Sequence, residues 1–340
     1  MLSPGSSPAL GSSEPSIAES LSTRTALVPN TPKVIPSAAS PSCLLDASIY
    51  IFRYYFSLPD HWFSSEGYPT AAVHGYSSFL LNFLLEQNPS VMAACFDESL
   101  GSCFRNEIYP DYKSSRALPD EALAFQLRAC REVTEILGIP SFSSAVYEAD
   151  DLLGTLMAQL RDNSESQSIA ILTRDKDLGQ LITRPQDFLW DYVNPSKQER
   201  LGREQIQQKF GVWPEQLIDY LALVGDAVDD IPGVPGIGAK TAQAMLQWEP
   251  SIERIFARLD EISTLPIRGA KSLGQKLSEN VQQIAMSRSL AEIITDVDMV
   301  VEEPALQRGR PDEAAFEVFC QNMGFGKPLR KKFDQLMESL

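Results

Sequence analysis

Ser168-Ile169-Ala170-Ile171-Leu172-Thr173-Arg174-Asp175-Lys176-Asp177 is the stretch on which the fold turns. Its apolar run is too short for a helix and reads as a buried strand, and it stops on two aspartates that flank a lysine. The pattern recurs. Ser42 to Asp46 ends in Leu44-Leu45-Asp46, and Val91 to Asp97 ends in Ala94-Cys95-Phe96-Asp97. Further strands are predicted near Ile139 to Phe142 and over Asp187 to Val193. Helical spacing fills the gaps, over Thr70 to Gln87, Asp120 to Leu137 and Glu148 to Arg161. Strands alternating with helices predict an α/β fold, a mostly parallel sheet with helices on both faces. After Arg203 the strand signals stop, and a helical C-terminal part is expected.

In parallel α/β sheets, ligands bind beyond the carboxyl ends of the strands. Asp46, Asp97 and Asp175 are therefore predicted to meet on one edge although they lie far apart in sequence. One such aspartate alone would read as a helix cap; three in register favour a shared site. Glu148-Ala149-Asp150-Asp151 and Asp175-Lys176-Asp177 each open a helix, where acids also complement the dipole. Asp226, Asp229 and Asp230 form a third acidic group. Packing so many carboxylates together calls for cations, and oxygen donors without His or Cys select hard ions, Mg²⁺ or Mn²⁺.

Composition narrows the chemistry. The 340 residues contain only two histidines, His61 and His74, and neither belongs to an HExxH helix. Acid–base work is left to carboxylates, lysine or activated water. Five cysteines, none in a CxxC pair, argue against a disulfide framework or a structural zinc site and for reduced thiols in the cytoplasm. No run approaches the ~18 apolar residues of a membrane helix. The net charge of −16 runs against nucleic-acid binding, so any phosphate footprint must be local. Residues 1 to about 40 are rich in Ser, Pro, Ala and Thr and are predicted to be a disordered tail.

Gly233-Val-Pro-Gly236-Ile-Gly238-Ala-Lys240-Thr241 nearly matches a P-loop, but Ala239 separates the last glycine from the lysine and no strand precedes it. It is predicted instead to be a tight hairpin between helices Pro214 to Val224 and Ala239 to Gln247. Glycine amides there approach a phosphate closely, the second helix aims its N-terminus at it, and Lys240 adds charge.

Residues 42 to about 325 resemble the 5′ nuclease superfamily, above all the 5′→3′ exonuclease domain of bacterial DNA polymerase I and its stand-alone relatives. The likeness is carried, in order, by Leu44-Leu45-Asp46, Phe96-Asp97, Phe104-Arg105 through Tyr112-Lys113-Ser-Ser-Arg116, Tyr147-Glu148-Ala-Asp150-Asp151, Thr173 to Leu178, and Gly225-Asp226 through Asp229-Asp230 to Gly238. It implies a PIN-like core plus a helix-hairpin-helix variant. It also implies that Asp46, Asp97, Glu148, Asp150, Asp151, Asp175, Asp177, Asp226 and Asp229 are metal-site carboxylates for two ions. Lys113 and Arg116 match basic residues at the base of a helical arch that passes a 5′ single strand. Arg105 and Tyr112 are expected at the DNA, although for Tyr112, as for Tyr109, a core-aromatic reading is as good as base stacking. Gly233, Gly236, Gly238, Lys240 and Thr241 match the hairpin that grips duplex backbone with a monovalent cation, K⁺.

The expected organisation is a tail at 1–40, a catalytic core at 41–200 with the arch at about 99–120, a helical DNA-binding part at 201–330 with the hairpin at 231–241, and a C-terminal tail at 331–340. The expected activity is structure-specific 5′→3′ exonuclease and flap endonuclease cleavage of DNA and RNA primers. Its substrates are 5′ flaps, 5′ ends and RNA–DNA primer junctions, cut by a cytoplasmic monomer working with a replicative polymerase in trans. Two residues depart from the family pattern: Asp230 stands where Asn is common, and Arg174 where a small or uncharged residue is usual. A PIN-type ribonuclease shares the acidic site but lacks the glycine hairpin.

Overall fold

The computed structural model describes residues 40–299 and 303–340; all but the last residue of the expected 1–40 tail lies outside them. Elements follow in the order β1 Ser42–Asp46, α1 Ala47–Ser57, α2 Ala71–Gln87, β2 Met92–Asp97, α3 Phe104–Ile108, α4 Glu121–Ile136, β3 Ser141–Ser144, α5 Ala149–Asn163, β4 Ile169–Leu172, β5 Phe188–Asn194 and β6 Lys197–Leu201. The sheet order is β3-β2-β1-β4-β5-β6, parallel from β1 to β5, with β6 antiparallel at the edge. The chain steps outward from β1 through β2 to β3, then crosses to the other side of β1 and steps outward through β4 and β5. That reversal puts a crevice between the carboxyl ends of β1 and β4.

Side-chain alternation explains why both faces are covered. Cys43, Leu45, Met92, Ala94, Phe96, Ala170 and Leu172 enter one core, beneath α1, α2 and α4. Leu44, Ala93, Cys95, Ile169 and Ile171 enter the other, beneath α5 and the helices that follow β6. A strand buried on both faces is apolar throughout, which is why these three were readable. β6 was not foreseen. Its sequence Lys197-Gln-Glu-Arg-Leu201 is mostly exposed and polar, as an edge strand should be. Gln198 anchors it by accepting from the Trp190 indole at 2.8 Å, and Arg200 stacks on that ring.

The helical part runs α6 Arg203–Phe210, α7 Leu217–Val224, the paired β7 Gly225–Asp226 and β8 Ile231–Pro232, α8 Ala239–Trp248, α9 Ile252–Ala257, α10 Leu273–Glu279 and α11 Val281–Ala291. The last two helices, α12 Glu313–Asn322 and α13 Lys327–Glu338, return to the first core. This corrects the expected tail at 331–340. Leu329, Phe333 and Leu336 share one face of α13 and are buried, with Phe333 stacked on Phe316 at 4.0 Å. All five cysteines are free and buried. No helix among the described residues is long and apolar enough to cross a membrane.

Candidate active site

Asp46 and Asp97 end β1 and β2, and Asp175 follows β4 by three residues. Asp46 is buried. One of its oxygens accepts the Ile49 N–H at 3.3 Å, capping α1, and the other accepts the Thr173 hydroxyl at 2.8 Å. That hydroxyl also accepts the Asp175 N–H at 2.9 Å, so Thr173 ties the ends of β1 and β4 together. Asp97, at the end of β2, accepts the Ser99 hydroxyl at 2.9 Å. Asp175 accepts the Asp177 N–H at 2.8 Å, and one Asp177 oxygen is buried with no hydrogen-bond partner among the described residues.

These acids repel one another. Burial, opposed by the Thr173 bond and reinforced by the Asp175 charge, pushes the Asp46 carboxyl up to about 7. Burial and then Asp175 push Asp177 up to about 8. Asp150, on the first turn of α5, is held well above the usual carboxylate range by burial, Asp175 and Asp46. Burial raises Asp229 too, against Lys113 and Arg116, with Asp175 adding to the rise. Asp175 is thus the charge common to four perturbed neighbours.

A basic group faces them. Glu148 caps α5; one of its oxygens pairs with the Lys113 ammonium, and the other accepts the Tyr112 hydroxyl at 2.8 Å and Arg105 Nη1 at 3.2 Å. Lys113 is 9% exposed and takes a left-handed backbone, φ +53°. Its N–H donates to the Asp229 carbonyl at 3.1 Å, and its ammonium lies 3.6 Å from the Asp229 carboxylate, which also pairs with Arg116. Burial alone would lower the Lys113 pKa, but Glu148, then Tyr112 and Asp229, override it and hold the ammonium well above its ordinary value. Asp226 accepts the Val228 N–H at 2.8 Å and the Lys176 ammonium at 2.5 Å.

The glycine hairpin grows out of the same loop. Asp226 and Ile231 pair across the β7–β8 ladder, and Gly233 follows at once. A Cβ on Gly233 would lie 2.1 Å from the Val224 carbonyl oxygen, so only glycine lets the strands close. Gly236 has φ +76°, and its carbonyl accepts Lys276 Nζ at 3.3 Å. Gly238 caps α8, Lys240 is exposed on its first turn, and Thr241 is half-buried.

Residues 41–211 match the family model described as 5′-3′ exonuclease, N-terminal resolvase-like domain, and residues 212–314 match the 5′-3′ exonuclease C-terminal SAM fold. The chain belongs to the 5′-3′ exonuclease family. It is 36% identical over 258 residues to the 5′-3′ exonuclease of Buchnera aphidicola subsp. Schizaphis graminum, covering 76% of this chain and 87% of that one. The Aquifex aeolicus 5′-3′ exonuclease is 31% identical over 293 residues, covering 86% and 95%. It is also 38% identical over 288 residues to Pseudomonas aeruginosa DNA polymerase I, covering 84% of this chain but only 31% of that longer protein. The same fold is seen in bacteriophage T5 5′-exonuclease with bound divalent zinc (TM-score 0.58, 18% identity, 87% of this chain and 98% of that one). It recurs in the catalytic core of Rad2 with DNA substrate (TM-score 0.60, 17% identity, 89% and 94%).

In this exonuclease, three sequence expectations need correction. Asp151, expected among the metal carboxylates, is fully buried and forms a bidentate pair with Arg105. Its oxygens also accept the backbone N–H groups of Glu148 at 3.1 Å and Ile294 at 2.9 Å. Arg105, expected at the DNA, is 2% exposed and also donates to the carbonyls of Leu290 and Glu292. Tyr112 is 3% exposed and holds Glu148, so its core-aromatic reading prevails. Two residues were missed: Thr173 and Lys176, each polar and each lodged between acids. No group of three or more acids among the described residues is arranged to surround a single ion. The donor set nonetheless suits hard divalent cations: all oxygen, mutually repelled, with one buried Asp177 oxygen unbonded.

Proposed function

We propose that this protein is a structure-specific 5′→3′ exonuclease and 5′ flap endonuclease that hydrolyses phosphodiester bonds of DNA and RNA primers in replication and repair. The observation that carries this reading is Asp175. Its charge perturbs Asp46, Asp150, Asp177 and Asp229, and Asp229 in turn holds both Lys113 and Arg116. Acids that raise one another's pKa thus stand beside cations able to bind a phosphate. On this reading residues 41–200 are the catalytic core with the arch at 99–120. The helices after 201 that carry the hairpin grip the duplex.

Asp46, Asp97, Asp150, Asp175 and Asp177, ringed by Glu148, Asp226 and Asp229, would hold two ions, Mg²⁺ or Mn²⁺. What such ions supply is activation of water and neutralisation of the leaving 3′ oxygen. The chain's own groups do the rest. Lys113 stays protonated across the physiological range and donates to an oxygen of the scissile phosphate, whose charge grows in the transition state. Glu148 and the left-handed backbone fix the direction of that ammonium. Arg116, the more exposed of the two, offers a planar fork to the same phosphate. The hairpin amides and Lys240 hold duplex phosphates, which position the substrate without reading its sequence.

The test is cleavage of a 5′-labelled flap duplex in Mg²⁺ by wild type, Lys113→Ala and Asp175→Asn. Cutting near the flap junction that is abolished by chelation and greatly slowed in both variants supports the reading. Binding without cutting by wild type, or cutting of single-stranded RNA alone, overturns it.

A further inference from the structure

We propose that Arg174, with Lys176 and Lys209, forms a phosphate subsite beside Asp175 that takes one backbone phosphodiester of the bound DNA, separate from the Lys113–Arg116 contact. The proposal rests on the nuclease reading above and adds a contact to it. A cavity of about 120 Å³ opens on the β5 side of Asp175, bounded by Thr173, Arg174, Asp175 and Lys176 from the end of β4, Asp191 from β5 and Lys209 from α6. Three cations on two separate elements therefore border one small space next to a carboxylate of the cleavage centre.

Arg174 is the informative member. Its side chain is 57% exposed and makes one ion pair, Nε lying 3.1 Å from Asp191. Asp191 also takes Arg53, so a single carboxylate serves two guanidinium groups. Neither terminal amino group of Arg174 makes a hydrogen bond among the described residues. An arginine anchored at Nε still projects its two Nη groups as a rigid fork, the geometry that matches two oxygens of a phosphodiester. Lys209 lies 3.7 Å from Glu199 in a loose, half-exposed pair that a phosphate can displace. Lys176 is fixed against Asp226 and closes the side towards the cleavage centre. Of the three acids at this cavity, Asp191 and Glu199 each already face a cation, and Asp175 belongs to the cleavage centre.

The contact is read from binding of a flap duplex in chelating buffer, with an uncharged methylphosphonate placed at successive linkages on both sides of the cut. For wild type, neutralising one linkage is expected to weaken binding about fivefold. Arg174→Ala should bind the unmodified duplex more weakly by a similar factor and be indifferent to that linkage. Its slope of log Kd against log salt should be shallower by about one. Arg174→Lys, which keeps the charge and loses the fork, should restore the slope and only part of the affinity. Unchanged affinity and slope in a folded Arg174→Ala protein, or a linkage effect that survives the substitution, overturns the proposal alone. Failure of wild type to bind the duplex sinks it together with the nuclease reading.

Discussion

Arg105 and Asp151 form a two-bond ion pair sealed from solvent, Nη1 to Oδ2 at 2.7 Å and Nη2 to Oδ1 at 2.8 Å. The same guanidinium reaches Glu148 and the carbonyls of Leu290 and Glu292, so it joins α3, α5 and the segment after α11. Removing one partner of such a pair leaves a buried charge uncompensated. Arg105→Ala should therefore lose about 3–5 kcal/mol of stability. Urea unfolding of the variant checks this, and a midpoint within error of wild type would refute it. Arg105→Lys should rescue little, because one ammonium cannot make the paired bonds.

Lys113 and Arg116 should differ in kind. Lys113→Ala removes a buried, permanently charged donor, and kcat is expected to fall roughly 10²–10³-fold. Lys113→Arg should not restore it, because the 9% exposed pocket against Glu148 fits an ammonium. Arg116→Lys, at a partly exposed position, should retain most activity. Single-turnover rates on a flap duplex separate these outcomes from changes in binding.

Asp177 carries a prediction of opposite sign for stability and activity. Its folded carboxyl titrates near 8, above the ordinary value of an unfolded chain. The folded state therefore holds the proton more tightly, and stability is lost as pH rises from the unfolded value through about 8. In chelating buffer Asp177→Asn should melt above wild type by roughly 2–4 °C at pH 8, with a smaller gap at pH 5. Mg²⁺ should raise the melting temperature of wild type more than that of the variant. Cleavage should be lost. Equal melting curves at pH 8 would count against the crowding of these acids.

Two glycines of the hairpin should respond differently. A Cβ on Gly233 meets the Val224 carbonyl oxygen at 2.1 Å, whereas one on Gly238 meets nothing within 4 Å. Gly233→Ala must open the β7–β8 ladder, with a loss of roughly 1–3 kcal/mol and weakened duplex binding. Gly238→Ala should fold nearly as wild type. Thermal melts and duplex binding by anisotropy distinguish the pair.

Much of the acidic edge of the sheet was legible because its signals are local. An apolar run that stops on an acid fixes both a strand and the place where it ends, and β1 occupies Ser42–Asp46 as read. What stayed hidden depends on partners distant in sequence. Nothing near Asp151 in the chain announces that it turns inward to Arg105 while its neighbour Asp150 faces Asp46 and Asp175. Thr173 is a plain strand-end threonine until β1 is laid beside β4. β6 escaped because an edge strand has no buried face to make it apolar. Most of α13 falls in the expected tail at 331–340 although Leu329, Phe333 and Leu336 recur at helical spacing; the core they enter is built largely from the first elements of the chain.

That last contact bears on how the molecule is made. β1 and α1 share a core with Phe319, Phe333 and Leu336, which are synthesised much later. The face of the sheet beneath α2 therefore cannot be closed before α12 and α13 have been made. Until the final turn of α13 emerges, Tyr76, Phe79 and their neighbours wait without their full cover. A nascent chain of this exonuclease that stops short of α13 would leave that face of its sheet without its cover.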